Sequence, residues 1–212
     1  MPTSQSEWEA KHRLAEGEPA AEPAGILREI LALLPAGAVL DLACGTGRNA
    51  LFLAESGRRV TAVDWSAAGL EILAARALEK GIAVRRIERL EEAARRTGAG
   101  LALMQADLEK INLPKKAYDA ILCIRYLQRS LFPQICEALR PGGLLLYETY
   151  TVAQLDFEGG PKDAAHLLKS GELRNAFPEL RVLFYRELRA GQGIASLVAT
   201  KPGNAHRGQN GR

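Results

Sequence analysis

The chain has 212 residues, of which 47% are hydrophobic and 25% are charged. This length suits one domain with its own core, and the composition is that of a globular protein rather than a disordered or fibrous one. Lys and Arg outnumber Asp and Glu by only 28 to 25. Because the excess forms no long basic block, the charge does not favour a nucleic-acid partner.

The sequence carries no signal for secretion, membrane insertion or metal binding. Residues 1–23 are charged and lack the apolar core of a signal peptide, and no apolar run approaches the length that spans a bilayer. Cys44, Cys123 and Cys136 lack the close spacing of zinc ligands, and their odd number argues against a disulfide framework. We therefore expect a cytoplasmic protein with reduced, packed thiols and no metal site.

The N-terminal part divides into an arm and the first element of the core. Residues 1–23 predict a mobile arm with at most a short helix around Trp8, because charges are scattered among prolines. The following run AGILREILALLP places its apolar residues on one stripe and predicts an amphipathic helix that stops at Pro35. Residues 24–202 are expected to form one domain, and 203–212 a disordered polar tail.

The domain alternates short apolar runs with helical stretches. AVLDLACGTG followed by RNALFLAESG, and RRVTAVDWS followed by AAGLEILAARALEKG, predict two successive strand–helix units and hence a parallel sheet. Residues 82–100 are less regular and predict an insertion that can include a short strand and a charged helix near residues 88–97. Further strands are predicted from LALMQADL, YDAILCIRYL and LLLYETYT, a helix from HLLKSGELRNAF, and a closing antiparallel pair from LRVLFYREL and GIASLVATK.

The strongest chemical signal is the glycine-rich turn after the first predicted strand, Asp41-Leu-Ala-Cys44-Gly45-Thr46-Gly47. A loop whose backbone must approach a ligand needs glycine, because a Cβ would collide or forbid the required φ. The helix that follows presents free N–H groups to the same point. A plain strand-to-helix turn produces the same pattern, so the loop alone does not prove a ligand site.

Acidic residues follow the next two strands at the same edge of the sheet. Asp64 ends the second strand at the distance at which a carboxylate meets ribose hydroxyls in nucleotide-binding units, although a solvated strand-end Asp is the alternative. A carboxylate can accept two hydrogen bonds from a vicinal diol. Asp107 follows the third main strand, where it can accept a hydrogen bond from an adenine amino group.

Taken in order, VLDLACGTGRNA, VTAVDWS, QADL, YDAILCIRYL and LRPGGLLLYETY resemble the successive motifs of class I S-adenosylmethionine (SAM)-dependent methyltransferases. The resemblance covers residues 25–200. It implies a doubly wound, Rossmann-like α/β fold whose seven-stranded, mostly parallel sheet has one antiparallel strand. A narrower resemblance, carried by Asn49 in GTGRN and by LLKSGELRNAF, is to the small tellurite-resistance methyltransferase-like subgroup, which suggests soft nucleophiles or metalloid oxyanions as acceptors. The insertion at 82–100 departs from that subgroup.

The resemblance implies roles for individual residues. The loop would hold the methionine part of SAM, Asp64 the ribose, Trp65 would cover the adenine, and Asp107 with Leu108 would fix the adenine edge. The cofactor-binding residues so predicted are Asp41, Ala43, Cys44, Gly45, Thr46, Gly47, Asn49, Asp64, Trp65, Ser66, Ala106, Asp107, Leu108 and Ile124. A nicotinamide dehydrogenase is the rival, but its first strand normally runs apolar into the glycine, whereas Asp41 here could face the positive end of SAM.

Acceptor contacts are predicted from two strand ends. Arg125 and Tyr126 follow the fourth main strand, and Glu148 and Tyr150 end the fifth. Core packing and ordinary surface pairs are the equal alternative for all four. No catalytic residue is assigned, because a methyl carbon activated by positive sulfur can be transferred by alignment and desolvation without a general base.

The sequence therefore predicts a SAM-dependent methyltransferase that acts on a small molecule and releases S-adenosylhomocysteine. Methylation of a protein or RNA, and a SAM-binding module without catalysis, are the alternatives. The arm around Trp8, His12 and Arg13 is expected to act as a lid, with Arg13 pairing with the methionine carboxylate, and a tail without a role is the equal alternative. All three histidines, His12, His166 and His206, are expected to be surface residues without a role.

Overall fold

A computed structural model describes residues 4–18, 20–94 and 97–203; most of the expected tail lies outside these ranges. The described strands are β1 Ala38–Leu42, β2 Arg59–Asp64, β3 Val84–Arg86, β4 Gly100–Gln105, β5 Tyr118–Ile124, β6 Leu139–Tyr150, β7 Arg181–Arg189 and β8 Gly193–Thr200. The described helices are α1 Gln5–Arg13, α2 Gly25–Glu29, α3 Arg48–Glu55, α4 Ala67–Glu79, α5 Leu90–Ala94, α6 Leu131–Ala138 and α7 Glu172–Asn175.

The strands form one sheet in the order β3-β4-β2-β1-β5-β6-β8-β7. The pairs from β3 to β6 are parallel, and β8 runs antiparallel to both of its neighbours. This confirms the predicted doubly wound fold with one antiparallel strand. The expected number of seven strands is wrong, since the described sheet has eight. The extra strand, β3, lies in the 82–100 insertion, where the sequence allows a short strand, and it has only three residues, none of them buried.

Two layers of helices bury the two faces of the sheet. Every residue of β1 is buried, as expected for a central parallel strand covered on both sides. Val39 packs in a cluster with α2, α3 and α4, whereas its neighbours Leu40 and Leu42 pack on the opposite face with α5, α6 and α7. The alternation of side chains along the strand thus divides the core into two layers. None of the helices in the described ranges is long and apolar enough to cross a bilayer.

Two predicted helices are shorter than their sequence patterns suggested. The helix after Pro23 ends at Glu29 and continues as a 3₁₀ turn, Leu31–Leu33, because Leu34 precedes Pro35 and is extended. In the region 166–177 only α7 is α-helical. There Leu168 pairs in extended form with the end of β6, since its N–H donates to the Tyr150 carbonyl and its carbonyl accepts from Val152.

Chain order and sheet order together locate the expected ligand edge. After β1 the chain moves outward through β2, and after β4 it returns to the other side of β1 as β5. In open α/β sheets, ligands bind outside the carboxyl ends of the strands at such a switch point. The loops that follow β1, β2, β4 and β5 and the end of β6 therefore define the candidate site.

Candidate functional site

The glycine loop between β1 and α3 has a left-handed backbone at three positions. Ala43, Gly45 and Gly47 have φ values of 56°, 56° and 78°. Glycine adopts this region without cost, whereas an Ala there costs about 1 kcal/mol or more. At Gly47 a Cβ would lie 2.3 Å from Leu73 Cδ1 of α4. The loop is therefore fixed both by its own conformation and by close packing on the neighbouring helix.

Asp41 is a buried carboxylate below this loop. It is 1% exposed, and its Oδ2 has no hydrogen-bond partner among the described residues. Burial and then the nearby charge of Asp64 raise the pKa of Asp41 to about 7, although Arg48 acts in the opposite direction. A cationic group placed beside this carboxylate would supply its missing partner and favour its ionised form.

Asp64 connects the glycine loop to the end of β2. Its Oδ2 accepts from the Gly45 N–H at 2.7 Å and its Oδ1 from the Ser66 N–H at 2.9 Å. Burial raises the pKa of Asp64, although these hydrogen bonds and the neighbouring His12 oppose the rise. Each carboxylate oxygen keeps a further lone pair, so Asp64 can still accept from ribose hydroxyls.

The loops after β2 and β4 form the side assigned to adenine. The Trp65 carbonyl accepts from the side-chain amides of Gln5, at 3.1 Å, and Gln105, at 3.2 Å. Asp107 accepts from the Glu109 N–H at 3.0 Å and pairs with Lys110 at 3.0 Å, and these contacts lower its pKa. A groove of about 400 Å³ adjoins this side and includes Ala106 and Asp107 in its wall.

Several residues predicted to bind the cofactor make structural contacts in this protein. The Asn49 side-chain carbonyl accepts from the Ala24 N–H at 2.9 Å and so holds the start of α2. Ser66 is fully buried and caps α4, with its hydroxyl accepting from the Gly69 N–H. Cys44, Leu108 and Ile124 are all buried, at 5–9% exposure. The Thr46 carbonyl accepts a long contact from Arg76.

Three of the four predicted acceptor residues, Arg125, Glu148 and Tyr150, form a cluster, and Tyr126 lies outside it. Arg125 lies with its Cζ 4.6 Å from the ring centre of Tyr150 and its Nε 3.9 Å from Glu148 Oε1. Glu148 is 5% exposed and accepts from the Ser196 hydroxyl at 2.7 Å. Tyr126 is bonded elsewhere, because its hydroxyl contacts the side chain of Gln128.

Arg48 is a member of this cluster that sequence reasoning missed. It is the first residue of α3 and is half-buried. Burial and the charge of Arg125 lower the pKa of Arg48, whereas Glu148 and Asp41 partly offset this effect. The charge of Arg48 therefore interacts both with Asp41 below the loop and with Arg125 and Glu148 on the acceptor side. The motif GTGRN contains the residue, but nothing local in the sequence shows where an arginine at a helix start will point.

The N-terminal arm contains a short helix around Trp8, as expected, and this helix packs on α4. Ser4 and Glu7 form a capping box that starts α1. Glu9 then accepts from the N–H groups of Ala67, at 2.6 Å, and Ala68, at 2.9 Å. Burial acts to raise the pKa of Glu9, but these hydrogen bonds outweigh it and lower the pKa. A carboxylate at a helix N-terminus is favourable, so Glu9 fastens α1 to α4.

His12, rather than Trp8 or Arg13, is the residue of α1 that reaches the glycine loop, so the expectation of a surface histidine is wrong. It is 9% exposed, and its Nε2 lies 3.5 Å from the Cβ position of Gly45. A Cβ on Gly69 would lie 2.8 Å from its Nδ1, so both glycines make room for the imidazole. Burial lowers the pKa of His12, although Asp64 acts to raise it.

The two residues expected to form the lid lie at the margin of this contact. Trp8 is half-buried, and its ring lies 5.5 Å from that of His12. Arg13 is exposed and lines a groove of about 690 Å³ along α4 with Glu71 and Glu79.

This fold, with its glycine loop and its acidic strand ends, is that of class I SAM-dependent methyltransferases. TehB from Haemophilus influenzae has the same fold, with a TM-score of 0.69 at 18% identity over 89% of this chain and 65% of that chain. A SAM-dependent methyltransferase from Aquifex aeolicus gives a TM-score of 0.62 at 15% identity, over 91% of this chain and 97% of the other.

Sequence comparison shows the family. A family model described as a methyltransferase domain matches residues 40–147, and the chain belongs to this family. The ubiquinone biosynthesis O-methyltransferase of Pectobacterium carotovorum is 29% identical over 116 residues, which are 52% of this chain and 42% of that relative. The chain thus spans less than half the length of that relative. The cofactor of the family is SAM, which confirms the predicted cofactor.

Proposed function

We propose that the protein transfers a methyl group from SAM to a small-molecule acceptor at the carboxyl edge of the sheet. The observation that carries the proposal is Asp41 Oδ2, a fully buried acidic oxygen without a hydrogen-bond partner among the described residues, directly below the glycine loop. A buried carboxylate of this kind needs a cationic or donor partner. The ammonium group in the methionine part of SAM fits that requirement.

The remaining predicted residues contact different parts of the cofactor. Asp64 accepts from the ribose, Trp65 covers the adenine, and Ala106, Asp107 and Leu108 line the adenine edge. Backbone groups of the glycine loop, with Ile124 opposite, enclose the methionine part. Asn49 and Ser66 contribute by holding α2 and α4 in place rather than by direct contact, as their hydrogen bonds indicate.

The chain's own contribution to the reaction is alignment and exclusion of water. When bound, SAM supplies a methyl carbon that is already activated by positive sulfur, so in-line displacement needs no general base from the protein. Arg125, Glu148 and Tyr150 orient the acceptor, and Tyr126 forms the wall behind them. We further propose that α1, through Trp8, His12 and Arg13, covers the cofactor and keeps water from the reacting atoms.

Calorimetry and labelled-methyl transfer test this proposal together. We expect purified protein to bind SAM and S-adenosylhomocysteine with dissociation constants on the order of micromolar. Incubation with labelled SAM and separate pools of metabolites, proteins and RNA should label a product in the metabolite pool. Labelling of the protein or RNA pool would instead identify a macromolecular acceptor, and binding without transfer to any pool would indicate a SAM-binding module.

A further inference from the structure

Two arginines lie close enough at the acceptor side of the site for the charge of Arg125 to lower the pKa of Arg48. Arg48 begins α3 and Arg125 follows β5, so the sheet topology brings together residues that are distant in sequence. Arg125 is held firmly. Its side chain, 26% exposed, stacks on Tyr150, and its N–H donates to the Glu148 carbonyl at 2.7 Å.

The backbone of Arg125 also adopts a conformation that its residue type disfavours. Its φ is 64°, in the left-handed region that a side chain bearing a Cβ seldom occupies. A non-glycine residue stays there only when its surroundings hold it, and such positions cluster at binding sites. The fold therefore accepts local strain at Arg125, whose side chain stacks on Tyr150.

The negative charge supplied by the protein does not match these two cations. Glu148 is the nearest carboxylate, but one of its oxygens accepts from Ser196 and the other lies 3.9 Å from Arg125 Nε, beyond hydrogen-bond distance. The second nearby carboxylate, Asp41, has its pKa raised to about 7 and is only partly ionised at neutral pH. The Nη1 of Arg125 is buried and has no hydrogen-bond partner among the described residues.

An unpaired guanidinium N–H in a half-buried cluster is costly, and an oxyanion is the ligand that removes this cost. The planar fork of arginine matches carboxylates and comparable oxyanions, which accept two parallel hydrogen bonds. We propose that Arg48 and Arg125 bind an anionic group, a carboxylate or a comparable oxyanion, on the small molecule that the enzyme methylates. This inference rests on the proposed function, since it specifies the acceptor of the same site.

A carboxylate is also present in the methionine part of SAM, so the test must separate the two sources. Arg48→Gln and Arg125→Gln remove each cation, and Arg28→Gln, which alters an exposed ion pair with Glu22, is the matched control. We expect Arg125→Gln and Arg28→Gln to bind SAM within three-fold of wild type, and Arg48→Gln to do so once the pH is high enough to ionise Asp41, because the Arg48 charge lowers the pKa of that carboxyl. A ten-fold loss of SAM affinity in Arg125→Gln that is absent with decarboxylated SAM would assign the site to the cofactor and overturn the inference.

A second experiment tests acceptor binding with pairs of ligands, an acid and its amide, that differ in charge but are similar in size. With the protein saturated in S-adenosylhomocysteine, acetate is compared with acetamide and benzoate with benzamide by calorimetry. We expect each acid to bind at least ten-fold more tightly than its amide, and this preference to fall below three-fold in Arg48→Gln and Arg125→Gln but not in Arg28→Gln. Equal binding of acid and amide, or no binding of either acid, would overturn the inference.

Fractionation separates failure of this inference from failure of the proposed function. A metabolite extract is divided on an anion exchanger before incubation with enzyme and labelled SAM. The inference expects the acceptor in the retained, anionic fraction. Labelled product only from the unretained fraction contradicts an anionic acceptor but leaves methyl transfer intact, whereas no labelled product from either fraction contradicts the proposed function itself.

Discussion

The two halves of the site differ in how the protein holds the side chains that are candidates for ligand binding. On the β2 side, both oxygens of Asp64 accept backbone N–H groups, and Glu9 completes the start of α4, although His12 Nδ1 is buried there without a hydrogen-bond partner among the described residues. At the ends of β1 and β5, Asp41 Oδ2 and Arg125 Nη1 are buried without such partners. We call the first half preformed because its candidate ribose ligand is already held in place, whereas in the second half the candidate ligand groups are left for ligands to complete.

This contrast predicts which ligands each half recognises. Ribose and adenine should bind to the preformed half whatever is attached to them. Groups that belong to the amino-acid part of the cofactor, and the acceptor, should depend on the incomplete half. 5′-Methylthioadenosine, which has ribose and adenine but no amino-acid part, therefore separates the contributions of the two halves.

The largest effect is expected at Gly45, where the loop joins both halves. Gly45→Val should lower affinity for SAM and for methylthioadenosine more than 100-fold, about 2.7 kcal/mol or more, because a β-branched residue disfavours φ 56° and the loop must rearrange. Gly57→Val is the control, since Gly57 also has positive φ, with open space around it. Calorimetry with circular dichroism should show both variants folded and only Gly45→Val deficient. Normal SAM binding by folded Gly45→Val would mean that the loop is only a turn.

Asp64→Asn should weaken SAM, S-adenosylhomocysteine and methylthioadenosine alike, by about 1.5–3 kcal/mol, because all three have the ribose. The amide also places a donor against one of the two N–H groups that Asp64 now accepts. Asp156→Asn, at an exposed ion pair with Arg189, is the control and should bind normally. If calorimetry found unaltered affinities for Asp64→Asn, Asp64 would no longer be a candidate ribose ligand.

Asp41, in the incomplete half of the site, should make SAM binding depend on pH. The pKa of Asp41 is raised to about 7 in the free protein, so its ionised form, which a cation would select, becomes populated as pH rises through 7. SAM affinity should therefore increase roughly five- to ten-fold between about pH 6 and pH 7.5. The stability of the free protein should change in the opposite sense, since a raised folded-state pKa favours folding at low pH and that contribution is lost as pH rises.

Asp41→Asn should abolish this pH dependence, and methylthioadenosine should not show it even in wild type. Both controls are titrations by calorimetry across the same pH range. A pH dependence of equal size for SAM and methylthioadenosine would locate the titrating group in the preformed half, against the assignment to Asp41.

The sequence predicted the parts of the site that are set by strand ends. Asp41, Gly45 and Asp64 follow from the order of strand, glycine turn and helix, because parallel strands bring their carboxyl ends to one edge. The sequence did not predict contacts that depend on three-dimensional proximity alone. Glu9 caps a helix that begins 58 residues later in the chain.

The contacts of Asn49 and Arg48 could not be predicted from the motif for the same reason. Both lie in the first turn of α3, and the motif suggested Asn49 as the ligand contact. In the structure Asn49 holds the start of α2, while the charge of Arg48 interacts with Arg125 and Glu148. Which face of a helix start meets the ligand depends on where α2 packs, and no local pattern encodes that position.

The smallest effect is expected at the fastening of α1, which decides whether the N-terminal helix is part of the preformed half. Glu9→Gln removes the charge that caps α4 and should weaken docking by about 0.3–1 kcal/mol, the usual size of such a contact. Because His12 lies against Gly45 only while α1 is docked, SAM affinity should fall two- to five-fold. Glu16→Gln, exposed in the same segment, is the matched control. Hydrogen exchange of α1 should accelerate in Glu9→Gln alone, which separates undocking from a change in the loop itself.

Deleting residues 1–16 sets the upper limit of the effect on affinity and turnover. If that truncated enzyme kept wild-type values for both, α1 would be a packed helix without a role as a lid.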